Sequence, residues 1–101
     1  MTKSELIEQL YKKQSYLPFQ DVERVVNALV NKMTEALGSG ERIEIRGFGS
    51  FSLVLHRARM GRNPRTGEAV SIPKKHSIHF KAGLELAHRV RESAGQYKIH
   101  D

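Results

Sequence analysis

The run of residues from Leu55 to Pro73 is too basic and too poor in apolar side chains to contribute to a hydrophobic core. It holds four arginines against one acid, Glu68, and ends beside two lysines. Alternating, strand-like sequence flanks the run on both sides, and the turn-forming residues Gly, Asn and Pro stand at its middle. The pattern predicts a β-hairpin arm over about residues 55–74 that projects from the rest of the domain.

The formal net charge of +6 is concentrated in the middle of the chain. Residues 42–81 hold nine Lys and Arg against two acids, whereas residues 1–41 hold five against six and residues 82–101 hold three of each. A surface that binds a polyanion concentrates its charge in this way. Nucleic acid is favoured over an anionic membrane, because the basic region alternates like a strand and does not form an amphipathic helix.

The length of 101 residues predicts a single domain, here over residues 1–94 with a C-terminal tail from Gly95 onward. The absence of cysteine excludes disulfides and thiolate metal sites. No apolar run approaches the length of a membrane span, and the first residues lack the apolar segment of a signal peptide. We therefore expect a protein that stays in the cytoplasm, with no membrane partner.

Two N-terminal helices are indicated by apolar residues at helical spacing. The first begins at a capping box formed by Thr2 and Glu5 and runs to about Gln14. The second starts near Pro18 and ends at the glycines that flank Ser39. Its apolar stripe is wider than one short neighbouring helix can cover, which suggests burial against another subunit.

After Gly40 the period of the apolar residues changes from 3.6 to 2, which indicates strands. Strands are predicted over residues 41–46, 50–55 and 77–81. A final helix follows from about Ala82. The order is helix, helix, strand, strand, arm, strand, helix, and the fold class is α+β.

The tip of the arm combines a turn with cations, an amide and a rigid ring. Arginine and asparagine side chains can read the acceptors on the floor of the DNA minor groove. Pro64 has a fixed φ and no N–H, so it can act as an apolar wedge between stacked bases. The alternative is that Asn63 and Pro64 only initiate an ordinary turn, but the four flanking arginines favour the wedge. Each arm strand is expected to span eight or nine residues, or about 30 Å.

Two further features are candidate DNA contacts. Arg42, Glu44 and Arg46 alternate along a strand, and Glu44 either fixes the two guanidinium planes for shape readout or makes weak ion pairs on a solvated face. The starts of the first and last helices, next to Lys3 and Lys81, either receive phosphates or are simply capped.

Nothing in the sequence indicates catalysis or a bound cofactor. The histidines have no metal-ligand spacing supported by cysteine or a carboxylate, and on a strand His76 and His79 point to opposite faces. Gly47-Phe48-Gly49 does not open a helix as a phosphate-cradling loop does. We expect a non-enzymatic protein without metal, cofactor or small-molecule substrate.

Three segments resemble the signature of the bacterial HU and integration host factor family of DNA-bending proteins. They are Gly47-Phe48-Gly49-Ser50-Phe51, Gly61-Arg62-Asn63-Pro64-Arg65-Thr66-Gly67 and His79-Phe80-Lys81-Ala82-Gly83-Leu84-Glu85-Leu86. The alternation of Arg42, Glu44 and Arg46 is most similar to the integration host factor branch. Two positions depart from the family pattern, because Ala82 stands where proline is usual and Leu84 where lysine is usual.

The resemblance implies an intertwined dimer with a helical base of two N-terminal helices and one C-terminal helix per chain, an antiparallel three-stranded sheet and a long β-ribbon arm. It implies architectural binding of double-stranded DNA in the minor groove, sharp bending with Pro64 intercalating, and roles in transcription regulation, recombination and the nucleoid. It also implies a heterodimer with an alpha-type subunit. The DNA-binding residues expected from the motifs and the resemblance are Lys3, Arg42, Glu44, Arg46, Arg57, Arg59, Arg62, Asn63, Arg65, Lys75, His79 and Lys81.

Two alternatives stay open. One is an HU-like homodimer with little sequence preference, and the other is an RNA-binding protein with a basic hairpin.

Overall fold

The computed structural model describes residues 1–98 and divides them into two compact units, residues 1–39 and residues from Gly40 onward. The α+β class and the order of elements are as predicted. The elements are α1 (Lys3–Lys13), α2 (Phe19–Gly38), β1 (Ile43–Ile45), β2 (Gly49–His56), β3 (Arg59–Arg62), β4 (Ala69–Ile72), β5 (Lys75–Ala82) and α3 (Leu84–Ser93).

The first unit is a helical hairpin whose ends are set by local hydrogen bonds. Thr2 Oγ1 accepts from the amide of Glu5 at 3.2 Å, which confirms the predicted cap of α1. After α1, Gln14 Oε1 accepts from the amides of Tyr16 and Leu17 at 3.0 and 2.8 Å and so shapes the connection to α2. Helix α2 ends at Gly38 as predicted.

The buried apolar side chains of the described residues all lie in this helical hairpin: Ile7, Val22 and Val26. Other residues of the apolar stripe of α2 are exposed to solvent, with Val25 59% and Leu29 60% exposed. Helix α1 therefore covers one side of a stripe that is broader than its own width. The uncovered side of α2 is the part that the sequence predicts to lie against another subunit.

The second unit is built on an antiparallel sheet of three strands in the order β1-β2-β5. Strands β2 and β5 pair over their whole length, from Gly49 opposite Ala82 to His56 opposite Lys75. Gly49 is required at the start of this pairing, since a Cβ there would lie 2.5 Å from the carbonyl oxygen of Lys81 and 2.6 Å from the ring of Phe80. Phe80 packs in turn on Phe51, with ring centroids 4.7 Å apart.

Helix α3 starts two residues later than predicted, at Leu84. Ala82 is the last residue of β5 and pairs with Gly49, so it continues the strand and does not open the helix. Gly83 is the N-cap, and its amide donates to the carbonyl of Phe48 at 2.9 Å. This bond ties the start of α3 to the turn between β1 and β2.

The arm forms its own two-stranded sheet, β3 paired with β4. The predicted arm strands of eight or nine residues are wrong, because β3 and β4 each hold four residues, about 13 Å. Pro73 lies between β4 and β5, and its missing N–H interrupts a ladder at that point.

After α3, the amides of Gln96 and Tyr97 both donate to the carbonyl of Ser93. Residues 99–101 of the predicted tail lie outside the described residues. Among residues 1–98, no helix combines the length and the apolar character that crossing a membrane requires.

The tight approach at Gly49 predicts the effect of a single methyl group. Gly49→Ala should destabilise the fold by about 1–3 kcal/mol, because the new Cβ overlaps backbone and ring atoms that cannot both move away. Thermal unfolding followed by circular dichroism measures this as a fall in Tm. The matched control is Gly38→Ala, since nothing lies within 4 Å of a Cβ at that helical position. Equal Tm values for the two variants at one protein concentration would contradict the role given to Gly49.

Candidate nucleic-acid interface

The register of the three-stranded sheet sorts its side chains by chemistry. Alternate residues of a strand share a face, and paired residues on neighbouring strands share it too. One face, called here the basic strand face, is polar and carries most of the positive charge of the sheet. It consists of Glu44, Ser50, Ser52, Val54, His56, Lys75, Ser77, His79 and Lys81.

The opposite face, called here the apolar strand face, carries nearly all the hydrophobic side chains of the sheet. It consists of Ile43, Ile45, Gly49, Phe51, Leu53, Leu55, His76, Ile78, Phe80 and Ala82. Several of these side chains are still open, and Ile78 is 61% exposed. Because the apolar face has to be covered, the basic face is the one left for a charged ligand.

The basic strand face brings together four residues that the sequence analysis proposes for DNA binding: Glu44, Lys75, His79 and Lys81. It also holds two residues that sequence reasoning did not select, His56 and Ser77. The Nε2 atom of His56 lies 2.7 Å from the Oγ of Ser77. The alternation that begins at Ser50 and Ser52 continues to His56 and could identify it, but the predicted arm over residues 55–74 includes His56.

Arg42 and Arg46 flank β1 on its two sides, and Arg46 lies in the turn after it. Both are exposed, as is Glu44. The structure does not pair Glu44 with either arginine. Among residues 1–98 the ion pairs within 4.0 Å are Asp21–Arg24 and His88–Glu92. In this chain, therefore, Glu44 does not fix the two guanidinium planes.

Between the sheet and the arm lies a junction made of Arg57 and Ala58 on one strand and Pro73 and Lys74 on the other. Pairing of β2 with β5 stops at His56, and pairing of β3 with β4 begins at Arg59. The four junction residues take part in neither ladder. Arg57, one of the predicted DNA-binding residues, lies in this junction and is exposed.

The arm presents its arginines on two sides. Arg59 pairs with Ile72 and Arg62 pairs with Ala69, three positions apart on β3, so the two arginines point to opposite faces of the ribbon. Gly61 lies between them, and a Cβ there would be 2.6 Å from Cδ1 of Ile72. The absence of a side chain at Gly61 lets Ile72 lie flat across the ribbon.

The tip of the arm is held by hydrogen bonds centred on Asn63. Its amide donates to the carbonyl of Glu68 at 2.9 Å, and its carbonyl accepts from the amide of Gly67 at 2.7 Å. Asn63 Oδ1 accepts from the amide of Arg65 at 2.9 Å, and Arg62 Nη1 donates to the carbonyl of Gly67 at 3.0 Å. Gly67 has φ +73°, which favours glycine at this position.

These hydrogen bonds determine which groups of Asn63 and Pro64 remain available for a ligand. The side-chain oxygen of Asn63 is used by the turn, which leaves its Nδ2 donor for an external acceptor. Pro64 is exposed at the apex and stands between Asn63 and Arg65. The turn-forming role of Asn63 is therefore present in the structure, and it places the proline ring outward.

Of the residues proposed at the helix starts, Lys3 is the first residue of α1, whereas His79 and Lys81 do not lie at the start of α3. His79 and Lys81 lie on the basic strand face, and Gly83 separates β5 from α3. The first turn of α3 carries Glu85, and the first turn of α1 carries Glu5, so each helix start presents a carboxylate. Leu84, at the first position of α3, is 90% exposed. Lys3, at the start of α1, belongs to the first unit and is exposed.

Among residues 1–98 there is no group of three or more His, Cys, Asp or Glu side chains that could hold a metal ion. What the second unit offers is a surface: a sheet with one basic face, and a ribbon that carries arginines on both sides of an exposed proline. This is the arrangement of a protein that binds nucleic acid through charge and shape.

The sequence matches the family model described as bacterial DNA-binding protein over residues 1–91, and the chain belongs to this family. It is 58% identical over 90 residues to integration host factor subunit beta of Thioalkalivibrio sulfidiphilus, covering 89% of this chain and 94% of that one. It is 56% identical over 96 residues to the same subunit of Halorhodospira halophila, covering 95% and 94%. The family resemblance and the expectation of a non-enzymatic protein are confirmed.

Solved structures of HU share the fold. The structure of Anabaena HU crystallised with DNA superposes with a TM-score of 0.77 at 32% identity, covering 89% of this chain and 97% of that one. HU from Thermotoga maritima superposes with a TM-score of 0.61 at 30% identity, covering 89% and 98%. These similarities confirm the α+β fold class.

Proposed function

We propose that this chain is one subunit of a dimeric architectural protein that binds duplex DNA in the minor groove and bends it sharply, with Pro64 intercalating between base pairs. Such bending would serve transcription regulation, site-specific recombination and organisation of the nucleoid in the cytoplasm. Membership of a DNA-binding family and the high identity to integration host factor beta subunits support this function.

The observation that carries the proposal is the exposed tip of the arm. Pro64 is exposed at its apex, and the flanking chain is held in a fixed turn by Asn63 and Arg62. A proline ring has no donor to leave unsatisfied when it enters the base stack. A turn that is already ordered before binding loses little conformational entropy on insertion.

The proposed contacts divide into phosphate contacts and groove contacts. In the groove, Arg62, Asn63 and Arg65 would contact base edges next to Pro64. The remaining proposed residues would meet phosphates or the groove walls. They are Lys3, Arg42, Arg46, Arg57, Arg59, Lys75, His79 and Lys81. Glu44, whose carboxylate repels phosphate, is proposed to lie at the groove beside Arg42 and Arg46 and to contact no phosphate.

Phosphate contacts have to offset the cost of deforming the DNA. Unstacking one base step costs on the order of a few kcal/mol. Smooth bending of the site adds about 1–6 kcal/mol. A long, basic surface that releases many counterions supplies the opposing free energy. The arginines of the arm and junction and the cations of the basic strand face form such a surface.

The uncovered apolar side chains support assembly with a second subunit. In the first unit they are Val25, Leu29 and their neighbours on α2, and in the second unit they are the apolar strand face. The relatives named subunit beta favour an alpha-type partner. The similarity to HU structures favours the second candidate, a homodimer with little sequence preference.

Whether the chain forms a homodimer or a heterodimer can be tested by measuring the mass of the assembly in solution. We expect the chain expressed alone to form unstable or mixed assemblies, and co-expression with an alpha-type subunit to give a stable 1:1 dimer. Light scattering and DNA footprinting of both preparations provide the measurement. A stable homodimer that protects mixed-sequence DNA uniformly would establish the HU-like candidate instead, whereas discrete protected sites support the heterodimer.

The wrapping of DNA predicts a steep dependence on salt. If a dimer neutralises about ten phosphates, the logarithm of the affinity should fall with the logarithm of salt concentration at a slope near −9. Fluorescence anisotropy with a labelled duplex at several salt concentrations measures the slope. A slope of only about −2 or −3 would mean that the DNA is not wrapped, and tighter binding of structured RNA at matched salt would favour the RNA-binding alternative.

Replacing Pro64 should change the DNA bend angle and the DNA affinity to different extents. Pro64→Ala is expected to reduce the bend, measured as energy transfer between dyes at the two DNA ends, more than it reduces the salt-dependent affinity. The matched control is Lys75→Ala, which removes a charge from the basic strand face and should reduce the salt slope by about one with the bend retained. An undiminished bend in the Pro64→Ala protein would exclude intercalation.

A further inference from the structure

Two histidines share the basic strand face. His56 stands at the end of β2 opposite Lys75, and His79 stands on β5 opposite Ser52. The other described histidines lie elsewhere: His76 is on the apolar strand face, and His88 is on α3 beside Glu92 at 3.2 Å. The imidazoles of this chain are therefore divided between the surface that would meet DNA and surfaces that would not.

Ser77 lies on the same face as the two imidazoles and contacts that of His56. Its Oγ lies 2.7 Å from Nε2 of His56, and on β5 it is two residues from His79, so all three side chains project on the same side. The contact holds the His56 ring across the gap between β2 and β5. A ring held in this way is positioned before the DNA arrives, which reduces the entropy lost on binding.

The charged groups around these histidines come from β1, from β5 and from the residues where the sheet meets the arm. Lys75 and Lys81 lie on β5, Glu44 lies on β1, and Arg57 and Arg59 lie next to His56 where the sheet meets the arm. The charged groups on and beside this face are therefore one carboxylate and four cations. DNA phosphates arriving on this face would be the largest negative charge that either imidazole meets.

Histidine is the side chain whose charge ordinarily changes between pH 5 and 8. A phosphate close to an imidazole favours the protonated, cationic form. An imidazolium that contacts a phosphate also adds to counterion release, as a lysine does. Binding of DNA to a face with two imidazoles is therefore coupled to the uptake of protons.

We propose that His56 and His79, with Ser77 positioning the His56 ring, form a proton-linked phosphate grip on the basic strand face, so that DNA affinity rises as pH falls through the range of histidine titration. The inference rests on the proposed function, because it concerns the same DNA-binding surface. The sign follows from the linkage: protons are taken up on binding, so lower pH favours the complex and higher pH weakens it.

The test compares DNA affinity at pH 6.0 and pH 8.0 at constant ionic strength, with the full-length chain in the dimer in which it binds DNA. The wild-type protein is expected to bind about 20-fold more tightly at pH 6.0, with about four- to fivefold from each histidine. His56→Gln and His79→Gln should each remove their share, and the double variant should lose nearly all of the pH response. Ser77→Ala, which keeps both rings, should give a response between those of wild type and His56→Gln.

His76→Gln is the matched control, because it removes an imidazole from the same strand on the opposite face. It should keep the full pH response. Calorimetry in two buffers of different ionisation enthalpy counts the protons directly, and the double variant should take up about 0.65 proton fewer than wild type on average between pH 6.0 and pH 8.0, which is the uptake that a 20-fold change over this range requires. Thermal unfolding of each variant confirms that the fold is retained.

The two levels of the proposal fail in different ways. Absence of DNA binding at both pH values would overturn the proposed function. Tight binding with a pH response that is the same in the double variant and in wild type would leave that function intact and overturn the proton-linked grip. A response lost equally in His76→Gln would also overturn it, since the effect would then not belong to the basic strand face.

Discussion

The pairing of β2 with β5 is the constraint on which the rest of the second unit depends. Its eight residue pairs place every even-numbered residue of β2 on one face and every odd-numbered residue on the other. A shift of one residue would exchange the faces and direct Phe51 and Leu53 to the side that now carries His79 and Lys81. Gly49 fixes the start of the register, since no side chain fits between it, the Lys81 carbonyl and the Phe80 ring.

The sheet also leaves its own hydrophobic face partly exposed. Within the described residues the three buried apolar side chains belong to the helical hairpin, and none belongs to the sheet or to α3. A domain of this size gains too little from burial to leave such surface in water. In the proposed dimer, the stability of this chain would depend on the concentration and identity of its partner. The helical hairpin and the sheet each leave apolar surface that a second chain is proposed to cover.

Local signals made much of the fold predictable. The spacing of Thr2 and Glu5 predicted the cap of α1, and the alternation of Ile43 with Ile45 predicted β1, because such patterns depend on neighbouring residues only. The arm strands were overestimated, since the effect of Pro73 on the opposite strand is visible only once the register is known. The missed contact of His56 with Ser77 joins residues 21 positions apart, and no spacing rule connects them. Likewise, the side-chain positions of Arg42 and Arg46 around Glu44 depend on where β1 ends and the turn begins.

The four residues at the base of the arm give it a mechanical property of its own. Both strands of the hairpin are unpaired at this level, at Arg57 and Ala58 on one side and at Pro73 and Lys74 on the other. A change of angle at this level breaks no strand pairing, so tilting the ribbon costs less than bending a continuous sheet would. A rod hinged in this way can follow the curvature of a helix that is itself being bent.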